Sequence, residues 1–315
     1  NGGSSVVGAY QINVGLNTYV SNIGFGSGYW GQSTWGGGTY GFASQLRLWT
    51  LDNFGEDLIA CPRLGQIYYW DLSGGLTTRA IPLSSLSDAA DTPTAAMQVL
   101  VSEQDRHVVA LGANTIGTST QDPMLVRWSS QEDAGMWTPK TTNTAGGLRL
   151  SAGSEIIGGA RTRQEIAIFT DTSIYSMQFI GPPFTFGINL VTEGVSMVSP
   201  QAANNVIYFM DQDNFYSYSG SIQAIPCTVR AYVFDDFNKG QQYKVFAAKN
   251  ANFNEVTWFY CSGDSDEIDR YVTYNYVDTV WTIGSMERTA WIDEVELQLI
   301  IYITKKQVLM MTEVH

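Results

Sequence analysis

The chain has 315 residues, 44% of them hydrophobic, which is enough apolar material for one large domain or two ordinary ones. Only 15% of residues are charged, while 17 Tyr, 14 Phe and 9 Trp favour pleated β structure and extensive contact with other protein. The net charge of −13 excludes affinity for nucleic acid through phosphate neutralisation, and no run of 18 apolar residues offers a membrane-spanning helix.

Residues 1–41 hold 12 of the 31 glycines and, with the next five residues, no charge at all. Within them Gly24-Phe25-Gly26-Ser27-Gly28-Tyr29-Trp30-Gly31 alternates glycine with aromatic and small polar residues. Such aromatics are poorly placed in free water, so residues 1–41 are expected to be an extended segment ordered by assembly contacts. From residue 42 to residue 315 one phrase recurs: a short apolar strand, a polar turn, then a strand rich in aromatics. It is read at 57–61 with 67–71, at 107–112 with 124–129, and at 165–169 with 174–179. Further copies are read at 206–210 with 215–218, at 255–260 with 270–276, and at 297–302 with 307–311. No long window carries a helical period, and the turns are clusters of Gly, Asp, Asn and Ser. A recurrence of roughly 40 to 60 residues is that of propeller blades, so the expected fold is all-β, a β-propeller of about five to seven blades. A pair of β-sandwiches is the alternative, and it predicts less regular spacing.

Candidate chemistry is sparse. Cys61, Cys227 and Cys261 form no C-x-x-C pair, so they give neither a disulfide framework nor a zinc site and read as buried thiols in a reducing compartment. Of the two histidines, His315 is terminal and His107 opens an apolar strand, with no nucleophile elbow nearby; it reads as an ordinary residue at the edge of a strand. Asp264, Asp266, Glu267 and Asp269 crowd one loop. Two such carboxylates at a suitable separation can do acid–base work on a glycosidic bond. Asp264, Asp266 and Asp269 together would suit Ca²⁺, but the loop lacks the glycine and the later Glu of an EF-hand, and it reads first as a solvated hairpin loop. Ser130-Gln131-Glu132-Asp133-Ala134-Gly135-Met136-Trp137 echoes the Asp-box turn of sialidase propellers, with Glu132 in the place of Asp and Ala134 in that of Gly. Such a turn is structural, and of the clustered arginines a sialidase needs only Arg161 and Arg163 are present as a pair. Phosphate-binding glycine motifs are absent, and neither a metal nor a cofactor is expected.

One stretch is more specific. Asp122-Pro123-Met124-Leu125-Val126-Arg127-Trp128-Ser129 continues through Ser130 to Trp137-Thr138-Pro139, with Val109-Ala110-Leu111-Gly112 before it and Thr142-Asn143-Thr144-Ala145-Gly146-Gly147 after it. With Phe54-Gly55-Glu56-Asp57 and Gly181-Pro182-Pro183-Phe184, this resembles the tail hub or nozzle proteins of short-tailed double-stranded-DNA phages, also described as packaged-DNA stabilisation proteins. Arg127, Trp128, Ser129, Trp137 and Pro139 carry the most specific part, and the resemblance runs from about residue 22 to about residue 276. It implies a non-enzymatic virion subunit with a propeller fold, a homo-hexamer around a channel for retained and ejected DNA. Its implied neighbours are portal-side adaptor proteins and tail fibres or spikes, and its implied location is the virion tail after assembly in the host cytoplasm. Members are often longer, so this chain, which opens on Asn1 and stops at His315, is expected to be part of a longer polypeptide. No catalytic residue comes with the family. Residues 264–296 carry nine acids against Arg270 and Arg288, so the loop acids are expected to line or border the channel and to let DNA slide past by like-charge repulsion. The alternatives are a propeller-borne glycan-binding or glycan-hydrolysing tail domain, which would need a converging acid pair, and a cellular propeller scaffold.

Overall fold

The computed structural model describes residues 48–291, apart from 76, 103–104, 163, 182 and 204–207. The 1–41 segment and the 297–311 hairpin both lie outside the described residues. Five antiparallel sheets follow one another along the chain, each a meander in which neighbours in sequence are neighbours in space. The first sheet is β1 (Trp49–Phe54), β2 (Asp57–Pro62), β3 (Tyr68–Trp70) and β4 (Ile81–Pro82). The second is β5 (Gln98–Ser102), β6 (His107–Leu111), β7 (Leu125–Trp128) and β8 (Gly146–Arg149). The third is β9 (Ile156–Arg161), β10 (Ile166–Thr170), β11 (Ser173–Gly181) and β12 (Thr185–Glu193). The fourth has β13 (Tyr208–Met210), β14 (Phe215–Tyr218) and β15 (Ile222–Ala224), and the fifth β16 (Phe246–Asn250), β17 (Glu255–Tyr260), β18 (Arg270–Asn275) and β19 (Val280–Ser285). One short helix, α1 (Arg230–Asp235), lies in the crossover between the last two sheets. No helix among the described residues is long and apolar enough to cross a membrane.

This is an all-β, five-bladed propeller arrangement among the described residues. The hairpins expected at 57–71, 107–129, 165–179 and 255–276 supply the two middle strands of their four-stranded sheets, and the one expected at 206–218 supplies β13 and β14 of the three-stranded fourth sheet. A seven-bladed ring and a sandwich pair are not what these sheets form.

Middle strands are covered on both faces, so they read as continuous apolar runs: β6 and β10 are buried at every position. The fourth sheet lacks a full first strand because residues 198–203 pair only intermittently. Val198 N–H donates to Met210 O (2.9 Å), Met210 N–H to Ala202 O (3.3 Å), and Ala203 bridges Phe209. Pro200 has no N–H to give to such a ladder.

The first strand of each sheet lies closest to its counterparts. β1 packs on β5 and β5 on β9, and Gln201 forms a parallel bridge with Phe246 at the head of β16. The core lies between the sheets. One cluster joins Phe54, Ile59 and Cys61 of the first sheet to Val99, Val108 and Trp137 of the second unit, and another joins the second and third sheets through Leu111, Trp128, Ile168 and Phe186. A third unites the third, fourth and fifth through Phe169, Phe209, Phe215, Trp258 and Trp281.

Candidate functional site

The family-like residues form an interlock between units. Arg127, on β7, is almost fully buried; its Nη1 donates to Asn114 O (3.1 Å), its Nη2 to Asp91 O, and its guanidinium lies 5.8 Å from the centre of the Trp137 ring. A fixed fork stacked on an aromatic face is what arginine supplies and lysine does not. Trp128 donates its indole N–H to Thr144 O (2.9 Å) and meets Phe186 edge-on at 5.3 Å, so it carries the second sheet into the third. Ser129 Oγ accepts Val108 N–H (3.0 Å) and donates to Ser130 O (3.0 Å), extending the ladder past the end of β7. Trp137 has no exposed surface and donates to Ala134 O (2.8 Å). Pro139 is exposed on the loop beyond and does not join the interlock.

The turn between them differs from the frame expected of it. Asp133, not Glu132, makes the turn: its Oδ1 accepts N–H bonds from Gly135 (2.9 Å) and Met136 (3.1 Å). Glu132 is exposed at φ 56° and pairs loosely with Arg106 at 3.9 Å.

His107 is the first residue of β6, as expected, and it lies in the interior. It has no exposed surface, its Nε2 lies 3.0 Å from Thr144 Oγ1, and Phe179 and Phe186 flank its ring at 5.7 and 5.1 Å. Burial lowers its basicity, against an opposing backbone hydrogen bond at Asp105, to a pKa of about 4. Cys61 and Cys261 are buried and their thiols are pushed up to about 12 by burial, whereas Cys227 is half-buried, a correction to three fully buried thiols.

The acidic loop joins β17 to β18 and is clamped to the crossover that carries α1. Lys244 Nζ donates to Asp266 O and pairs with Glu267 at 3.0 Å; Gln241 donates to Asp266 Oδ1 (3.1 Å), and Asn238 to Ser265 O (2.9 Å). Asp269 turns inward, accepting Ser262 N–H (2.8 Å) and Oγ–H (2.7 Å), while Asp264 is exposed. The carboxylates of Asp266 and Asp269 therefore serve different partners. Among the described residues no group of three or more His, Cys, Asp and Glu could hold a metal ion, so the Ca²⁺ arrangement is not formed by this loop. The loop joins the second and third strands of the fifth sheet. Asp293, Glu294 and Glu296 lie outside the described residues.

The seam between first strands was not anticipated from sequence. β1, β5 and β9 form no ladder with one another, and side chains occupy the strand edges instead. Thr50 Oγ1 and Asp52 Oδ2 accept the N–H groups of Val99 (3.2 Å) and Val101 (2.7 Å). Asp52 also pairs with Arg161 at 3.1 Å, and Arg161 Nη1 donates to Val101 O (3.0 Å), so Arg161 belongs to this seam and not to a sugar-carboxylate site; Arg163 lies outside the described residues. Gln98 donates to Gly159 O (2.9 Å) and accepts from Gly159 N–H (2.7 Å), while Arg63 Nη1 reaches Ile157 O (2.8 Å). Beside Arg63, Glu155 is raised by burial, with the arginine charge opposing. Buried edges satisfied in this way do not remain open to other strands.

No protein-family model and no curated protein matches the sequence. Among solved structures, AztD of Citrobacter koseri is similar at a TM-score of 0.44 and 9% identity, over 76% of this chain and 57% of that one. YCF48 bound to D1 peptide is similar at 0.43 and 8% identity, over 77% and 68%. This chain thus spans less than two thirds of the length of AztD, and likeness at this level says nothing about function.

Proposed function

We propose that the protein is a structural, non-catalytic subunit of the tail hub of a short-tailed phage. Six copies surround a channel that retains double-stranded DNA and later releases it, in contact with portal-side adaptor proteins and with fibres or spikes. What supports this reading is the stretch from Asp122 to Pro139, in which Arg127, Trp128, Ser129 and Trp137 resemble the tail-hub sequences. Trp137 and Trp128 pack the second unit against the first and the third, Arg127 stacks on Trp137, and Ser129 secures the strand end, roles that suit a shared scaffold and not a reaction. The acidity supports passage without binding, since a wall of like charge gains nothing from counterion release.

Cryo-electron microscopy of the purified full-length protein and of virions containing it tests the reading. A six-fold ring on the tail axis is the expected result. A protein that stays monomeric at high concentration and is missing from virions overturns it. Within such a virion, Asp264→Lys with Asp266→Lys places cations on the exposed loop. Ejection is expected to slow at low ionic strength and to recover as salt rises; unchanged ejection rates remove the loop from the DNA path.

A further inference from the structure

We infer that β12, the outer strand of the third sheet, is a docking edge for a second copy of this chain, whose own β12 adds antiparallel to it across a two-fold axis at Ile188. The inference does not rest on the phage assignment.

Among the described residues β12 has one hydrogen-bonded neighbour, β11, and its other edge is open. Apart from the β11 ladder, no main-chain N–H or C=O of residues 187–192 is bonded to another described residue. The remaining outer strands are blunted in the ways that keep sheet edges from pairing. β4 has two residues and a proline, β15 has three residues, and β8 has four, two of them glycine and one arginine. β19 has six, but Asp278 precedes it by two residues, and Glu287 and Arg288 follow it within three. β12 runs for nine residues, and from Thr172 to Thr192 the chain carries no charge, the longest such run within residues 48–291. In a molecule of net charge −13, such an edge lets two copies approach without repulsion.

The strand itself sets the register. Its ladder with β11 is regular from Phe186 to Leu190 and irregular on either side, with Val191 as an extra residue between Leu190 and Thr192. Ile188 is the middle of that run. An axis there sets Phe186 of one copy opposite Leu190 of the other, and Gly187 opposite Asn189. Phe186 and Ile188 pack into the cluster between the second and third sheets, so Leu190, two residues on, shares their face. Leu190 is 46% exposed, and the added strand lays Phe186 of the second copy beside it. Leu148 on β8, 45% exposed, is registered against Val126 of the same cluster and so borders the same cleft. Phe184, 72% exposed at the hairpin tip, falls opposite Thr192 of the second copy. Glu193, the one charge in β12, falls opposite Pro183, past the end of the added strand, so the two acids do not oppose each other. Such a pair is closed, because it uses both edges and leaves none to recruit a third copy.

The test uses the full chain. Sedimentation over a range of concentrations is expected to show a reversible monomer–dimer step. Leu190→Lys is expected to weaken that step by about tenfold or more, with the unfolding midpoint of the dilute protein unchanged. Facing Cα atoms of an antiparallel pair lie about 4.5–5.5 Å apart, within reach of a disulfide. Ile188→Cys is therefore expected to form a disulfide-linked dimer on mild oxidation. The parent, with Cys61, Cys227 and Cys261, and Ile283→Cys on β19 are expected to form none. A protein that stays monomeric at high concentration overturns the inference, as does a Leu190→Lys variant that associates like the parent. An oligomer in which Ile188→Cys gives no link also overturns it, even if that oligomer is a ring of six that favours the phage assignment. A link through Ile283→Cys instead would place the contact on β19 and overturn it too.

Discussion

His107 is enclosed by Phe179, Phe186 and Thr144, and the cost of protonating it there has a solution consequence. Its folded pKa of about 4 lies below the unfolded value near 6.5, so as pH falls the unfolded chain takes up the proton first. Its contribution is fully present above about pH 6.5 and is lost between there and about pH 4, on the order of 3 kcal/mol in all. Urea unfolding at several pH values, for the parent and for His107→Gln, is expected to show a difference in stability that shrinks through this window. A pH-independent difference would mean that the imidazole is protonated equally in both states. The sequence offered only the position of His107 at the head of an apolar run; the rings that enclose it come from β11 and β12, more than seventy residues on. The Asp-box turn fails for a local reason: the sequence frame places the acid at Glu132, but only Asp133 is spaced to receive the Gly135 and Met136 amides.

Among elements, β1 and β5 depend on Asp52. Asp52→Ala removes the acceptor of the Val101 amide and the partner of Arg161, leaving a buried N–H unsatisfied, and is expected to cost about 2 kcal/mol in unfolding free energy. Asp52→Asn keeps an acceptor for that amide and is expected to cost less. Equal losses would place the effect in the ion pair and not in the amide bond. The sequence disclosed the middle strands because both of their faces are apolar. It did not disclose the outer strands β4, β8 and β15, which read Ile-Pro, Gly-Gly-Leu-Arg and Ile-Gln-Ala, because an outer strand covers little and is free to be short or polar. Nor did it disclose β9, whose Gly158 and Gly159 lie where sheets crowd together and no large side chain fits. The seam itself joins residues far apart in sequence, such as Asp52 and Arg161, and leaves no local pattern.

For the whole molecule, Gly158 limits how closely the units approach. A Cβ there would lie 3.1 Å from the Pro200 Cα and 3.0 Å from Gln98 Oε1, contacts in two neighbouring units at once. Gly158→Val is therefore expected to lower stability by about 1–3 kcal/mol, seen as a lower unfolding midpoint. Gly117→Ala, placed at a loop with open space around it, is expected to show only the local strain of its φ of +76°. Equal effects would argue against tight packing of the third and fourth units. The number of units was legible only as a range, because the crossovers between successive sheets vary from the six residues 150–155 to the twenty-one that carry α1.

The meander connectivity also bears on how the chain reaches its native state. Among the described residues every β ladder pairs strands consecutive in sequence, so each sheet closes only short loops and can form before the next one exists. Folding can then advance from Trp49 towards Ser285 one unit at a time, each finished sheet offering its bare side as the template for its successor. The cost falls along the way, as when the third sheet must wait for the fourth with Phe169 and Ile174 uncovered. Such a waiting species, and not the native fold, is expected to be the one that aggregates during synthesis.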